Sequence, residues 1–293
     1  VSTIINPFVA KGVRIMGLRI NTNIASQEVQ RNLRVNSAEQ ETEFARLSSG
    51  KRITKSSDDA AGLAIAKKLE ASTKGTRMAT RNASNAISMV QVAEGGLNES
   101  TNILTRLREL SVQAASDTVG ESERGYLNLE FQQLNQELDR IAQTTQFNGA
   151  PLLKGESEGG TLDFQVGAYG GSDYRIQFDA SFTDATIENL GMDGADIQDK
   201  ESASDNLQRI DAAIDKVSAY RANFGAIQSR LQSAVANLEI SAVNQEAARS
   251  RIEDTDMAES SAKVASINIM KAAGTAVLSQ ANDIPQGALR LIA

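Results

Sequence analysis

Neither cysteine nor histidine occurs among the 293 residues, tryptophan is also absent, and proline appears only three times. The first two absences together remove disulfides, thiolate nucleophiles, imidazole bases and the commonest zinc ligands. There is also no nucleophile-elbow pattern and no phosphate-binding glycine loop, so the residues offer no footing for an enzyme, a cofactor or a metal centre. Asp193, Asp196 and Asp199 lack the spacing of a calcium loop and read as a solvated acidic stretch. Aromatic residues make up 4% of the chain, which leaves the packing to aliphatic seams. Thirty basic against 37 acidic side chains give a net charge of −7 with no basic block, which argues against nucleic acid as a partner. No apolar run reaches the roughly 18 residues of a membrane span. The segment 1–15, with TIINPFVA, lacks the features of a secretory signal.

Helical periodicity dominates what is present. Pro7, Pro151 and Pro285 leave residues 16–150 and 152–284 free of the strongest helix breaker. Ser57 or Asp58 is the expected N-cap of a first long helix, with acids in its first turn, running to about Asp117. Its seam is Ile87, Val90, Leu97, Leu104 and Leu107. Gly95 and Gly96 inside it cost roughly 1 kcal/mol each against alanine, which suggests a close helix approach or a bend. A second helix carries a strict heptad in Leu127, Phe131, Leu134, Leu138 and Ile141, and should fold back on the first. A third carries Leu207, Ile210, Ile214, Val217, Phe224, Leu231, Val235 and Leu238, with Ser202 and Asp205 as an expected capping box. Near the end, Val264, Ile267, Met270, Val277, Ala281 and Ile284 recur at helical spacing, and Met257 and Met270 read as core. The fold class is therefore mainly α: a long antiparallel helical bundle or coiled coil.

Composition changes between the second and third helices, where nine glycines fall between Gly149 and Gly194 inclusive. Leu162, Phe164 and Val166 alternate, as do Tyr174, Ile176 and Phe178, with Gly170 and Gly171 between them. This predicts a β-hairpin.

Certain strings are specific. MGLRINTNIAS, RLSSGKRI, DDAAGLAIA, VAEGGLNES, RLRELSVQAA, QFNGAPLL, FQVGA, AARSRIEDTDMA and AGTAVLSQAN, in this order, resemble the two halves of bacterial flagellin, over residues 16–154 and 206–293. The resemblance implies a secreted subunit that self-assembles into the flagellar filament, a helical homopolymer for motility, and is exported by the type III route. Its expected partners are copies of itself, an export chaperone, the filament cap and the hook-filament junction proteins. The related junction protein of the same axis is the nearest alternative. A secreted membrane-active helical protein is a more distant one, because between Val264 and Ile284 the only basic residue is Lys271. The resemblance places Ile20, Ile24, Leu33, Val264, Ile267, Met270, Val277, Leu278 and Ile284 in assembly contacts. It also places Arg106, Leu110 and Glu130 where Toll-like receptor 5, an innate immune receptor, recognises flagellins.

The implied domains are a terminal helical pair of residues 16–57 with 258–293, a bundle of 58–154 with 200–257, and a hairpin-and-loop insert over 155–199. The large outer domains of many flagellins are missing. Gln27 and Glu39 occupy usually apolar positions, which leaves Ile20, Ile24, Leu33, Phe44 and Leu47 to make the seam of the N-terminal helix. The codons of Lys11, Gly12 and Val13 can contain AAGGAG, a ribosome-binding sequence, ahead of Met16. Residues 1–15 are therefore expected to be mistranslated leader.

Overall fold

A computed structural model describes residues 22–155, 161–179 and 183–290. In chain order the elements are α1 (Ile24–Ser49), α2 (Ala60–Ala114), α3 (Glu121–Thr144), β1 (Gln146–Phe147), β2 (Ala150–Pro151), β3 (Thr161–Gln165), β4 (Arg175–Asp179), α4 (Ile187–Leu190), α5 (Lys200–Glu253) and α6 (Met257–Arg290). The described residues form two compact units, one of residues 22–66 together with 250–290, the other within residues 67–249.

The second unit is built on heptads. Ile210, Val217, Phe224 and Leu231 of α5 are buried at steps of seven, with Val90, Leu97, Leu104 and Leu107 of α2 and Phe131 and Leu138 of α3. Helix α3 runs back along α2. Arg124 donates to the carbonyls of Ala114 (2.8 Å) and Ser116 (3.0 Å) at one end, and Arg106 meets Glu130 further along. At the far end a Cβ on Gly96 would lie 2.8 Å from Thr145 Oγ1 and 2.9 Å from Leu153 Cδ1. The helix passes this point unbroken, so Gly96 serves a close approach, while Gly95 faces open space.

The covered stripe of α3 is wider than its leucines. Leu127, Leu134 and Ile141 are half-buried, and Asn128 and Asn135 are buried beside them. Asn135 donates to the carbonyl of Met192 (3.1 Å), Gln132 to that of Ala195 (2.8 Å), and Asn128 Oδ1 accepts from the amide of Ile197 (3.1 Å). Three side-chain amides thus hold the segment after α4, which has no strand to pair with.

The expected hairpin is present, with Leu162 opposite Phe178 and Phe164 opposite Ile176. Gly171, at φ 141°, turns the chain, and the Phe178 ring packs on Phe224 with centroids 5.1 Å apart. A second, two-residue hairpin joins β1 to β2 through Asn148 and Gly149, both at positive φ. That is the conformation for which Asn-Gly is favoured.

Two helix starts differ from expectation. Asp59, not Ser57 or Asp58, caps α2: its Oδ1 accepts from Gly62 N (2.8 Å), and no acid lies in the first turn. Asp58 instead folds the preceding loop, accepting from Lys55 N (2.9 Å) and from Thr54 N and Oγ1 (both 3.0 Å). Helix α5 begins at Lys200, so Ser202 and Asp205 lie inside it and make no capping box. The stretch leading into it is held through carbonyls: Asp193 accepts from Arg209 (2.9 Å), Asp196 from Asn206, and Asp199 from Ala203 N (2.9 Å).

Two measurements check this arrangement. Leu107→Ala, at a fully buried site, is expected to cost about 2–5 kcal/mol in urea unfolding, and Arg106→Ala, on the surface, no more than about 0.5 kcal/mol. The backbone amides of Lys55 and then Thr54 lower the Asp58 pKa below its ordinary 3.8. A depressed pKa in the folded state gives stability that is present above the unfolded value and lost as pH falls through the folded one. The melting advantage of the native chain over Asp58→Asn should therefore hold at neutral pH and shrink below about pH 4.

Candidate assembly surface

In the first unit α1 and α6 pack antiparallel. Asn282 Oδ1 accepts from Ser26 Oγ (2.9 Å), and Asn268 Oδ1 accepts from Gln40 Nε2 (2.6 Å). A Cβ on Gly274 would lie 2.7 Å from Leu33 Cδ2. The covered positions of α1 are Ser26, Val29, Leu33, Asn36, Gln40, Glu43 and Leu47; those of α6 are Ser260, Val264, Ile267, Lys271, Gly274, Leu278 and Ala281. Each set steps by three and four, as a two-helix seam requires. About half of these residues are polar. Gln40 also accepts from Lys271 Nζ (2.7 Å), and the buried Glu43 accepts from Arg46 (2.7 Å).

Helix α6 continues through Pro285. Proline has no N–H to donate to the carbonyl four residues back, here that of Ala281. Asn23 fills the gap: its Nδ2 donates to Ala281 O at 2.7 Å, while its Oδ1 caps α1 by accepting from Ser26 N at 3.0 Å.

The residues expected in assembly divide between two faces. Leu33, Val264 and Leu278 are half-buried in the seam, and Ile267 is 3% exposed. Met270, Val277 and Ile284 stand outside the seam and are exposed, as is Met257, so neither methionine is core. Ile24 and Phe44 are likewise exposed and do not belong to the α1 seam, whose places are taken by Ser26, Gln40 and Glu43. Ile20 lies outside the described residues. The sequence stripe merged a covered face with an open one because alternate choices three or four residues apart both look helical. It also passed over Val35 and Ile269, the latter 71% exposed, which belong to the open surface. No described helix is long and apolar enough to cross a membrane.

In the second unit Arg106 and Glu130 are 49% and 45% exposed and joined by hydrogen bonds of 2.8 and 3.0 Å to Glu130 Oε1; Arg106 also reaches Glu109 at 2.9 Å. The Glu109 and Glu130 carboxylates raise the guanidinium pKa, keeping its charge fixed. Leu110 is 1% exposed, buried in the bundle, so it does not share the surface that the other two present.

The face assignment predicts that Ile267→Ala destabilises the α1–α6 pair by about 2–5 kcal/mol. Ile269→Ala should change it by no more than about 0.5 kcal/mol. Thermal melts of the full chain, followed by helix content, check both.

Comparison with known proteins places these elements. The bacterial flagellin N-terminal helical region matches residues 20–158, and the bacterial flagellin C-terminal helical region matches residues 207–292. A flagellin of Halalkalibacterium halodurans is 40% identical over 273 residues, covering 93% of this chain and 99% of that one. The flagellar filament core protein flaB2 of Brachyspira hyodysenteriae is 39% identical over 282 residues, with the same coverage. The crystal structure of Bacillus cereus flagellin covers 54% of this chain and 88% of its own at 27% identity, with a TM-score of 0.48. Two regional matches that together take in most of the chain, and relatives matched over nearly their whole length, lead to one conclusion: the chain belongs to the bacterial flagellin family.

Proposed function

We propose that this protein is a structural subunit of the bacterial flagellar filament, and that copies join through the face of α6 carrying Ile269, Met270, Val277 and Ile284. The observation that carries the reading is that α6 presents large apolar side chains outside the seam it makes with α1. Burying them at about 25 cal/mol per Å² favours association. Head-to-tail contact between unlike faces of identical chains builds an open helix where the rotation between copies does not close a ring. The role is mechanical and not enzymatic, and export to the filament precedes assembly. The terminal pair of residues 16–57 with 258–293 is assigned to the inner tube, 58–154 with 200–257 to the helical bundle, and 155–199 to the hairpin-and-loop insert. An export chaperone, the filament cap and the hook-filament junction proteins are the remaining axial partners of the proposal.

The exposed Arg106–Glu130 pair supports a second, host-side use of the surface, as a contact for Toll-like receptor 5, in which an arginine offers charge-assisted hydrogen bonds.

Exchanging both Ile269 and Val277 for aspartate tests the assembly reading. Helix content should stay at the native value while electron microscopy shows no filaments; normal filaments would contradict the assignment. Arg106→Ala should weaken receptor signalling by the free chain without preventing filament growth. An unchanged response would remove the receptor from the proposal.

A further inference from the structure

The apolar residues of the α1–α6 seam do not by themselves specify how the two helices align. With Leu33 on Gly274, heptad counting sets Glu43 against Val264 and Leu47 against Ser260. Sliding α6 by one heptad in one direction sets Leu33 against Ala281, Leu47 against Ile267 and Glu43 against Lys271. Sliding it in the other sets Leu33 against Ile267. The first alternative pairs apolar with apolar at least as well as the observed alignment and adds an ion pair, while the second keeps Leu33 on an apolar partner at the expense of Val29, which then faces Lys271. The observed alignment must therefore be selected by something other than hydrophobic burial.

We propose that two polar contacts fix the register of this pair: the layer in which Gln40 joins Asn268 and Lys271, and the contact of Asn23 with the carbonyl that Pro285 leaves free. Gln40 uses both ends of its amide, donating to Asn268 Oδ1 at 2.6 Å and accepting from Lys271 Nζ at 2.7 Å. After either slide it faces residues that cannot supply the same pair, Thr275 and Leu278 in one direction or Ser261 and Val264 in the other. Lys271 is at the same time the only lysine or arginine between Val264 and Ile284, so no other cation on that stretch can replace it.

The second contact is a marker of a different kind. Inside a helix each carbonyl is taken by the N–H four residues on, and a side-chain amide finds an open acceptor only where that N–H is missing. Pro285 creates one such place within α6, at Ala281, and Asn23 occupies it at 2.7 Å. After the slide that sets Leu33 against Ile267, Asn23 meets the carbonyl of Gly274, which the N–H of Leu278 already takes. A half-buried polar group that is satisfied in one alignment and not in others selects that alignment at a cost in stability, as single polar positions do in coiled coils. The alignment matters for the filament reading because it sets which apolar residues of α6 face outward beside which residues of α1. The register assignment itself concerns one chain and stands apart from that reading.

The test removes both contacts with substitutions that favour helix and seam: Gln40→Leu, Lys271→Leu and Pro285→Ala together. The absence of cysteine from the native chain makes disulfide trapping clean. Ser26→Cys with Asn282→Cys reports the observed register, because these side chains touch at 2.9 Å. Ser26→Cys with Thr275→Cys, and Leu33→Cys with Asn282→Cys, report the two slides. The full-length chain is oxidised under filament-forming conditions and intrachain bonds are read by peptide mapping. With Gln40, Lys271 and Pro285 intact, only the 26–282 bond should form. In the triple variant a slid bond should appear in yield comparable to the native one, with helix content retained. A triple variant that forms only the 26–282 bond, or forms no bond at all, overturns the proposal, as do slid bonds in the chain that keeps all three residues. Failure of the unsubstituted chain to form filaments would instead count against the filament reading and leave the bond pattern to decide the register.

Discussion

A helix packed against a single partner can cover only one stripe of its surface, and α6 carries more apolar side chains than one stripe holds. This constraint organises the first unit. The seam with α1 buries Ile267 and Ala281 and half-covers Val264 and Leu278, while Ile269, Met270, Val277 and Ile284 remain outside it. Large apolar residues left in water on a helix of this length mark an interaction surface. In a flagellin, a structural protein of the filament, copies of the same chain are the available cover.

The two units solve packing in different ways. The second closes a heptad-based core with fully buried Leu97, Leu104, Leu107, Phe131, Leu138, Ile210, Val217 and Leu231. Its polar anchors, Asn128, Gln132 and Asn135, hold a loop and do not interrupt that core. In the first unit polar residues lie in the seam itself. Ser26, Asn36, Gln40 and Glu43 on α1 meet a stripe of α6 that includes Ser260, Lys271 and Gly274. Such a seam gains less from burial than an aliphatic one and more in selectivity of pairing.

The difference explains what was legible in the sequence. Where the seams are aliphatic, the spacing of Ile210, Val217, Phe224 and Leu231, or of Phe131 and Leu138, identified buried positions directly, and the alternation of Leu162 with Phe164 and of Ile176 with Phe178 identified the hairpin register. Where the seam is polar, the same rule chose wrongly: Ile24 and Phe44 looked like seam residues and are exposed, because apolar spacing cannot see that Ser26, Gln40 and Glu43 hold those places. Leu110 shows the converse. It was grouped with surface residues by resemblance, yet it continues the buried line of Leu104 and Leu107. Caps were misplaced by small steps at Ser57, Asp58, Ser202 and Asp205, since neighbouring aspartates and serines all have capping chemistry and only the backbone decides which is used. The Asn148–Gly149 turn carried a plain hairpin signal that was passed over.

The central claim, that the open face of α6 is covered by other copies, is tested most directly by the methionines. A thioether exposed to dilute hydrogen peroxide becomes the sulfoxide, and one that is covered is spared. Met257 and Met270 stand exposed in the single chain, whereas Met192 is fully buried and serves as the internal control. Peptide mass mapping after peroxide treatment should find Met270 oxidised in the dispersed chain and strongly protected in assembled filaments, with Met192 spared in each. Equal oxidation of Met270 in filaments and in the dispersed chain would contradict the account.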